Sequence, residues 1–228
     1  MPLLTEGEAI QQVIARDPLF HVEERVIRGE QLPVFINAPD SLRGLLMLSA
    51  DRYADSELML YRDERITYGE FAERVWHFAH QLEVDYQVGP GDRVAVAMPN
   101  NPEYLIAVLA IASLGAVVVY LNAWWTTPEL EYGFQDSGAQ LAIVDDERAT
   151  RIVPFCQTLA ITLIKTEALR QFDKAIPIIS SSSGGMPPSH DIQPDDDYAI
   201  MYTSGSTGHP KGVVLTHRST LTALWSWL

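Results

Sequence analysis

GDRVAVAMPNNPEYLIAVLAIASLGAVVVYLNAWWTTPELEYGFQDSGAQLAIV, residues 91–144, sets the architecture. A Gly89-Pro90-Gly91-Asp92 turn precedes Arg93–Met98, an apolar run of strand length. Asn101 then caps a helix whose first position is Pro102, where proline's missing N–H costs nothing because that group has no partner in the first turn. Gly115 stands where this helix ends, and Ala116–Leu121 is a β-branched run of strand length. The next helix opens at Thr127-Pro128 and closes at Gly138, after which Leu141–Val144 makes another strand. Strand alternating with helix across short turns is the pattern of a parallel α/β sheet, and near-continuous apolar strands suit burial on both faces.

Working outward, residues 40–55 read as an amphipathic helix opening at Asp40 or Ser41, and Leu58–Tyr61 as a short strand. Thr67-Tyr68-Gly69-Glu70 has the spacing of a capping box, with Phe71, Val75, Phe78 and Leu82 following at helical period. Downstream, Ala149–Leu159 is amphipathic, and Ile161–Ile164 and Ile176–Ile179 have strand character. Ser180–Gly185, continuing to Pro194, has the composition of a flexible linker. Asp195-Asp196-Asp197 reads as the solvated start of a strand, because consecutive carboxylates on a strand alternate faces and do not converge on one ion.

Sixteen basic against thirty acidic residues give a net charge of −14. Such a surface repels phosphate backbones, which excludes nucleic acid as an expected partner; any phosphate must be gripped by a local site. The single cysteine, Cys156, forms no intrachain disulfide, in keeping with a reduced, cytoplasmic setting. The opening MPLLTEGEAIQQ has neither the basic n-region of a secretory signal nor the character of a transit peptide. No charge interrupts Tyr104–Pro128, a run long enough to raise a membrane span. A buried helix beside a buried strand explains the same hydropathy, so no transmembrane span is expected, with peripheral membrane contact left open.

The chemistry sits after the linker. Tyr198–Tyr202 is an apolar strand, Thr203-Ser204-Gly205-Ser206-Thr207-Gly208-His209-Pro210-Lys211-Gly212 follows, Val213–Thr216 is a second strand, and a helix begins at His217. Gly205 and Gly208 let the backbone approach an anion, Thr203, Ser204, Ser206 and Thr207 bring hydroxyls, and successive N–H groups can form an anion nest. Lys211 adds a flexible point charge. The spacing is not that of the Walker loop, since Lys211-Gly212 is followed by a strand, and Ser204 stands where a serine-hydrolase elbow needs glycine.

Tyr202–His217, YTSGSTGHPKGVVLTH, resembles the signature loop of the adenylate-forming (AMP-binding) superfamily, which includes acyl-CoA synthetases and peptide-synthetase adenylation domains. Ile66–Phe71 and the whole of 91–144 are similar to that family's upstream blocks, so the resemblance spans about residues 40–228. It implies an α/β fold of mostly parallel sheets layered with helices. The implied division is an N-terminal extension, 1–39, and a truncated AMP-binding N-terminal domain, 40–228, with the small C-terminal domain absent. The implied activity is that of an acid–thiol ligase: a carboxylic acid, most like a fatty acid, is activated by ATP with Mg²⁺ and passed to coenzyme A. Alternatives are an adenylation domain loading an amino or aryl acid onto a carrier protein, and a non-catalytic remnant.

The resemblance places Thr203, Ser204, Gly205, Ser206, Thr207, Gly208 and Lys211 on the pyrophosphate end of ATP. The family's catalytic residues are expected downstream of Leu228, so no catalytic residue and no metal ligand is assigned, and these residues alone are not expected to complete catalysis. Buried strands such as 198–203 would then lack neighbours, and the isolated 228-residue chain is expected to be poorly soluble or partly molten; a sharp thermal transition from a monodisperse sample would contradict this. His77 and His80 read as a surface or half-buried pair, Trp124-Trp125 as packing residues or the lining of an acyl or coenzyme A path, and His217 equally as a strand-to-helix junction or a functional residue.

Overall fold

Val94 and Val96 are buried against one layer of helices and Ala95 and Ala97 against another, so the strand they form is covered on both faces. A computed structural model describes residues 5–166, 186–203 and 210–227 of the chain. In chain order its elements are α1 (Glu6–Arg16), β1 (Val22–Ile27), β2 (Glu30–Phe35), α2 (Leu42–Tyr53), β3 (Glu57–Tyr61), β4 (Glu64–Thr67) and α3 (Tyr68–Tyr86). These are followed by β5 (Arg93–Ala97), α4 (Pro102–Ser113), β6 (Val117–Tyr120), α5 (Thr127–Ser137), β7 (Leu141–Val144) and α6 (Asp146–Cys156). The last are β8 (Thr162–Lys165), β9 (Asp197–Thr203), β10 (Lys211–Thr216) and α7 (His217–Trp225).

Six strands form one sheet in the order β10-β9-β6-β5-β7-β8. All neighbours are parallel except β10, which returns antiparallel beside β9. The period-2 alternation of strands divides the core. Val94, Val96, Val118 and Ile143 pack with α2, α3 and α4 on one side, and Ala95, Ala97, Val117, Val119, Ala142 and Val144 with α5 and α6 on the other. The helices change sides for a topological reason. The step from β5 to β6 runs one way across the sheet, and the step from β6 to β7 runs back over β5. With crossover handedness fixed, reversing direction moves the helix to the opposite face.

The predicted boundaries hold closely where caps mark them. Asn101 Oδ1 accepts the Tyr104 N–H at 2.9 Å, Thr67 and Glu70 form a full capping box, and Gly138 closes α5 in the left-handed region at φ 69°. The uncharged run 104–128 is divided between α4, β6, the loop after it and the start of α5, and among the described residues no helix is long and apolar enough to cross a membrane. Three features went unread in the sequence: α1, the β1–β2 hairpin, and β4, which pairs with β3 and runs directly into the Thr67 cap. Residues 176–179 and the glycine-serine linker 180–185 lie outside the described residues.

Candidate functional site

Lys211 and Thr203 face each other as the terminal pair of the β9–β10 ladder, and the Thr203 hydroxyl approaches the Lys211 carbonyl at 3.5 Å. Directly opposed side chains on an antiparallel pair share a face, so the hydroxyl and the ammonium stem leave the sheet on the same side, both exposed. Ser204, Gly205, Ser206, Thr207 and Gly208, which the sequence groups with them, lie outside the described residues.

The pair sits at the carboxyl edge of the sheet. Tyr120, the last residue of β6, is registered with Met201 of β9, so Thr203 projects beyond that row. The connection leaving β5 goes to one face and that leaving β6 to the other. In open α/β sheets the crevice outside such a reversal is where ligands bind.

Both shoulders of the segment that joins β9 to β10 are tied to α5. The Tyr202 hydroxyl donates to Asp136 Oδ2 at 2.7 Å, with a longer contact to the Gly133 carbonyl at 3.4 Å. Burial, then the bond to the Asp136 carboxylate and its charge, push the phenol well above its ordinary range, so it stays a donor. On the other shoulder, the Tyr132 hydroxyl donates to the Pro210 carbonyl at 3.2 Å. Tyr132 and Asp136 are four apart and so share a helix face. The packing beneath requires glycine at 133 and is tight at 212. A Cβ on Gly133 would lie 2.7 Å from Leu121 Cδ2 and 2.9 Å from Trp125 Cζ3. A Cβ on Gly212, opposite Tyr202 in the ladder, would lie 3.0 Å from Ile200 Cγ2 and 3.5 Å from the Tyr202 ring.

The loop after β6 forms the adjoining wall and is pinned by α6. Arg148, almost fully buried, donates from Nε to the Ala123 carbonyl at 2.8 Å while its Nη1 reaches Asp145 and Glu147 at 2.9 and 2.8 Å. Arg151 adds bonds to the Ala123 and Trp125 carbonyls at 3.2 and 3.1 Å. The two tryptophans consequently differ. Trp125 is half-buried, edge-on to Tyr202 with centroids 5.5 Å apart, whereas Trp124 is 79% exposed over the Arg148 guanidinium.

His217, at the start of α7, is fully buried and its Nδ1 accepts the Leu42 N–H at 3.3 Å. Its other nitrogen therefore carries the proton, and burial, reinforced by Arg43 and opposed by Asp196, lowers its pKa to about 4. The aspartate triplet leads into β9, which starts at Asp197, with Asp196 and Asp197 exposed, and each carboxylate has a partner as well. Asp195 accepts two bonds from Arg218 at 2.7 and 2.9 Å, Asp196 accepts the Gln193 N–H at 2.8 Å, and Asp197 meets Arg28 at 3.3 Å. His77 is half-buried and His80 exposed, and among the described residues no group of three or more His, Cys, Asp or Glu side chains could hold a metal ion.

Tyr202, Asp136, Tyr132, Arg148 and Arg151 were not singled out by sequence reasoning. Tyr202 and Asp136 are 66 residues apart, and no local spacing links them. The one available signal was the aromatic that ends an apolar strand directly before the glycine-hydroxyl run.

Residues 47–228 match the family of AMP-binding enzymes. The chain is 39% identical over 152 residues to a feruloyl-CoA synthase of Amycolatopsis sp., covering 67% of this chain and 28% of that protein. It is 34% identical over 173 residues to the long-chain-fatty-acid–CoA ligase FadD13 of Mycobacterium tuberculosis, covering 72% and 32%. It thus spans about a third or less of the length of these relatives. The crystal structure of the N-terminal domain of FACL13 from Mycobacterium tuberculosis superposes with a TM-score of 0.71 at 30% identity, over 82% of this chain and 47% of that one.

Proposed function

The chain belongs to the AMP-binding enzyme family, and on that footing we propose that the full-length protein activates a carboxylic acid with ATP and transfers the acyl group to coenzyme A. The carboxylate attacks the α-phosphate of ATP, forming an acyl-adenylate and releasing pyrophosphate. The thiol of coenzyme A then attacks the acyl carbonyl, and AMP leaves. On this reading the adenylate-forming domain starts near residue 40, and the enzyme works in the cytoplasm.

The observation that carries the reading is the Thr203–Lys211 pair at the carboxyl edge of the sheet, flanking a run of glycines and hydroxyls in the sequence. Thr203, Ser204, Gly205, Ser206, Thr207, Gly208 and Lys211 are assigned to the pyrophosphate end of ATP, where they orient the leaving group and offset its growing charge. Mg²⁺ would enter with the nucleotide, as the counter-ion that offsets the charge of its phosphates. Similarity to a long-chain-fatty-acid–CoA ligase and a feruloyl-CoA synthase supports an acyl-CoA product from a fatty or related acid.

The test is acid-dependent ATP–pyrophosphate exchange by the full-length protein across long-chain fatty acids, ferulic acid and amino acids, followed by assay of acyl-CoA. Exchange with a fatty or aryl acid and consumption of coenzyme A is the expected result. No exchange with any acid would sink the proposal, and exchange with transfer only to a carrier protein would replace it with the carrier-loading reading.

A further inference from the structure

Two bonds hold the ends of one short segment to one helix. Tyr202 immediately precedes Thr203 and is bonded to Asp136; Pro210 immediately precedes Lys211, and its carbonyl is bonded to Tyr132. Asp136 and Tyr132 are one turn apart on α5, a helix whose own start is fixed by the Thr126–Glu129 capping box. Gly133 lies between them and admits Trp125, whose ring meets Tyr202 edge-on. The loop supplying Trp125 is in turn pinned by Arg148 and Arg151. Tyr202 also lies over Gly212, the residue after Lys211.

We propose that Tyr202 and Asp136 are positioning residues for the phosphate site: through their shared hydrogen bond, α5 sets where Thr203 and Lys211 stand against the pyrophosphate of ATP. This rests on the phosphate-site reading above. The geometry favours positioning over direct contact. The Tyr202 side chain projects toward the α5 side of the sheet, and successive residues on a strand point to opposite faces, so Thr203 and Lys211 project from the other. Tyr202 thus orients the neighbouring backbone without itself reaching the ligand. Misplacement of about an ångström is enough to lower the rate of adenylyl transfer substantially.

The experiment compares Tyr202→Phe, Asp136→Ala, Asp136→Asn and the double variant Tyr202→Phe/Asp136→Ala with wild type in the full-length protein. It reads kcat and KM for ATP and for the acid in the exchange assay, together with the thermal midpoint. Loss of one such hydrogen bond is expected to lower kcat/KM for ATP by roughly three- to tenfold, with KM for the acid unchanged. Asp136→Asn, which keeps an acceptor oxygen, should recover most of the loss, and the double variant should be no worse than Tyr202→Phe alone. Wild-type ATP parameters in Tyr202→Phe would overturn the inference. So would losses that add in the double variant, or that fall equally on the acid, because those mark a general loss of structure. Absence of exchange in the wild type would instead refute the phosphate-site reading, and the inference with it.

Discussion

Lys211→Met in the full-length protein is expected to lower ATP–pyrophosphate exchange by about 100-fold or more, the scale on which removing one charge-stabilising donor acts. Methionine keeps most of the apolar stem of lysine but not its charge, so the ladder pairing with Thr203 should survive. The charge balance points in the same direction. These 228 residues carry −14 overall, so their own field opposes a polyphosphate, and the local ammonium works against it. Lys211→Arg should retain part of the activity, since the charge remains while the planar fork replaces a point charge. Thr203→Ala, which removes one neutral hydroxyl, should cost less than Lys211→Met. If Lys211→Met leaves KM for ATP and the exchange rate at wild-type values, Lys211 does not bind phosphate and the site assignment fails.

The region from Arg93 to Val144 could be read from sequence because several independent signals coincide there. Asn101-Pro102 and Thr126-Thr127-Pro128 mark helix starts, Gly138 marks a stop, and the strands are apolar throughout because helices cover both faces. The β9–β10 hairpin was legible for a similar reason: two apolar runs bracket a glycine-rich segment. The β1–β2 hairpin has no such signature. Almost all of its residues are exposed, so nothing enforces alternation, and its turn at Arg28-Gly29 is recognisable only once both residues are seen at positive φ. The strand β4 is four residues long and is reached through Arg62, a non-glycine residue at φ 56° that turn chemistry does not flag. The support behind Thr203 and Lys211 was invisible for a different reason. Asp136 and Tyr132 become neighbours of Tyr202 and Pro210 only after α5 has folded back over the sheet, and a single sequence does not encode that distance in any local pattern.

Acidification is expected to destabilise the full-length protein through His217. Its imidazole is buried at the junction of β10 and α7, with Nδ1 receiving the Leu42 N–H, and its pKa lies near 4 rather than at the usual value of about 6.5. Because the folded-state value is depressed, the unfolded chain takes up the proton first. The stabilising difference is therefore complete above about pH 6.5 and is lost as pH falls toward 4, where the folded protein also protonates. The ceiling is on the order of 3 kcal/mol. Protonation would also place a proton on the nitrogen that now accepts the Leu42 N–H, opposing two donors and freeing the start of α2 from the element that follows the Lys211 strand. Denaturant unfolding of wild type and His217→Gln at pH 7.5, 6, 5 and 4.5 isolates this residue, because titrations of all other groups largely cancel in the difference. The glutamine carbonyl offers an acceptor for Leu42 but does not titrate. The wild-type stability should fall relative to the variant by up to about 3 kcal/mol between pH 7.5 and 4.5, with a slope no steeper than about 1.4 kcal/mol per pH unit. Parallel curves for the two proteins would show that His217 protonates equally readily folded and unfolded, and that its burial beside Leu42 does not govern the acid response.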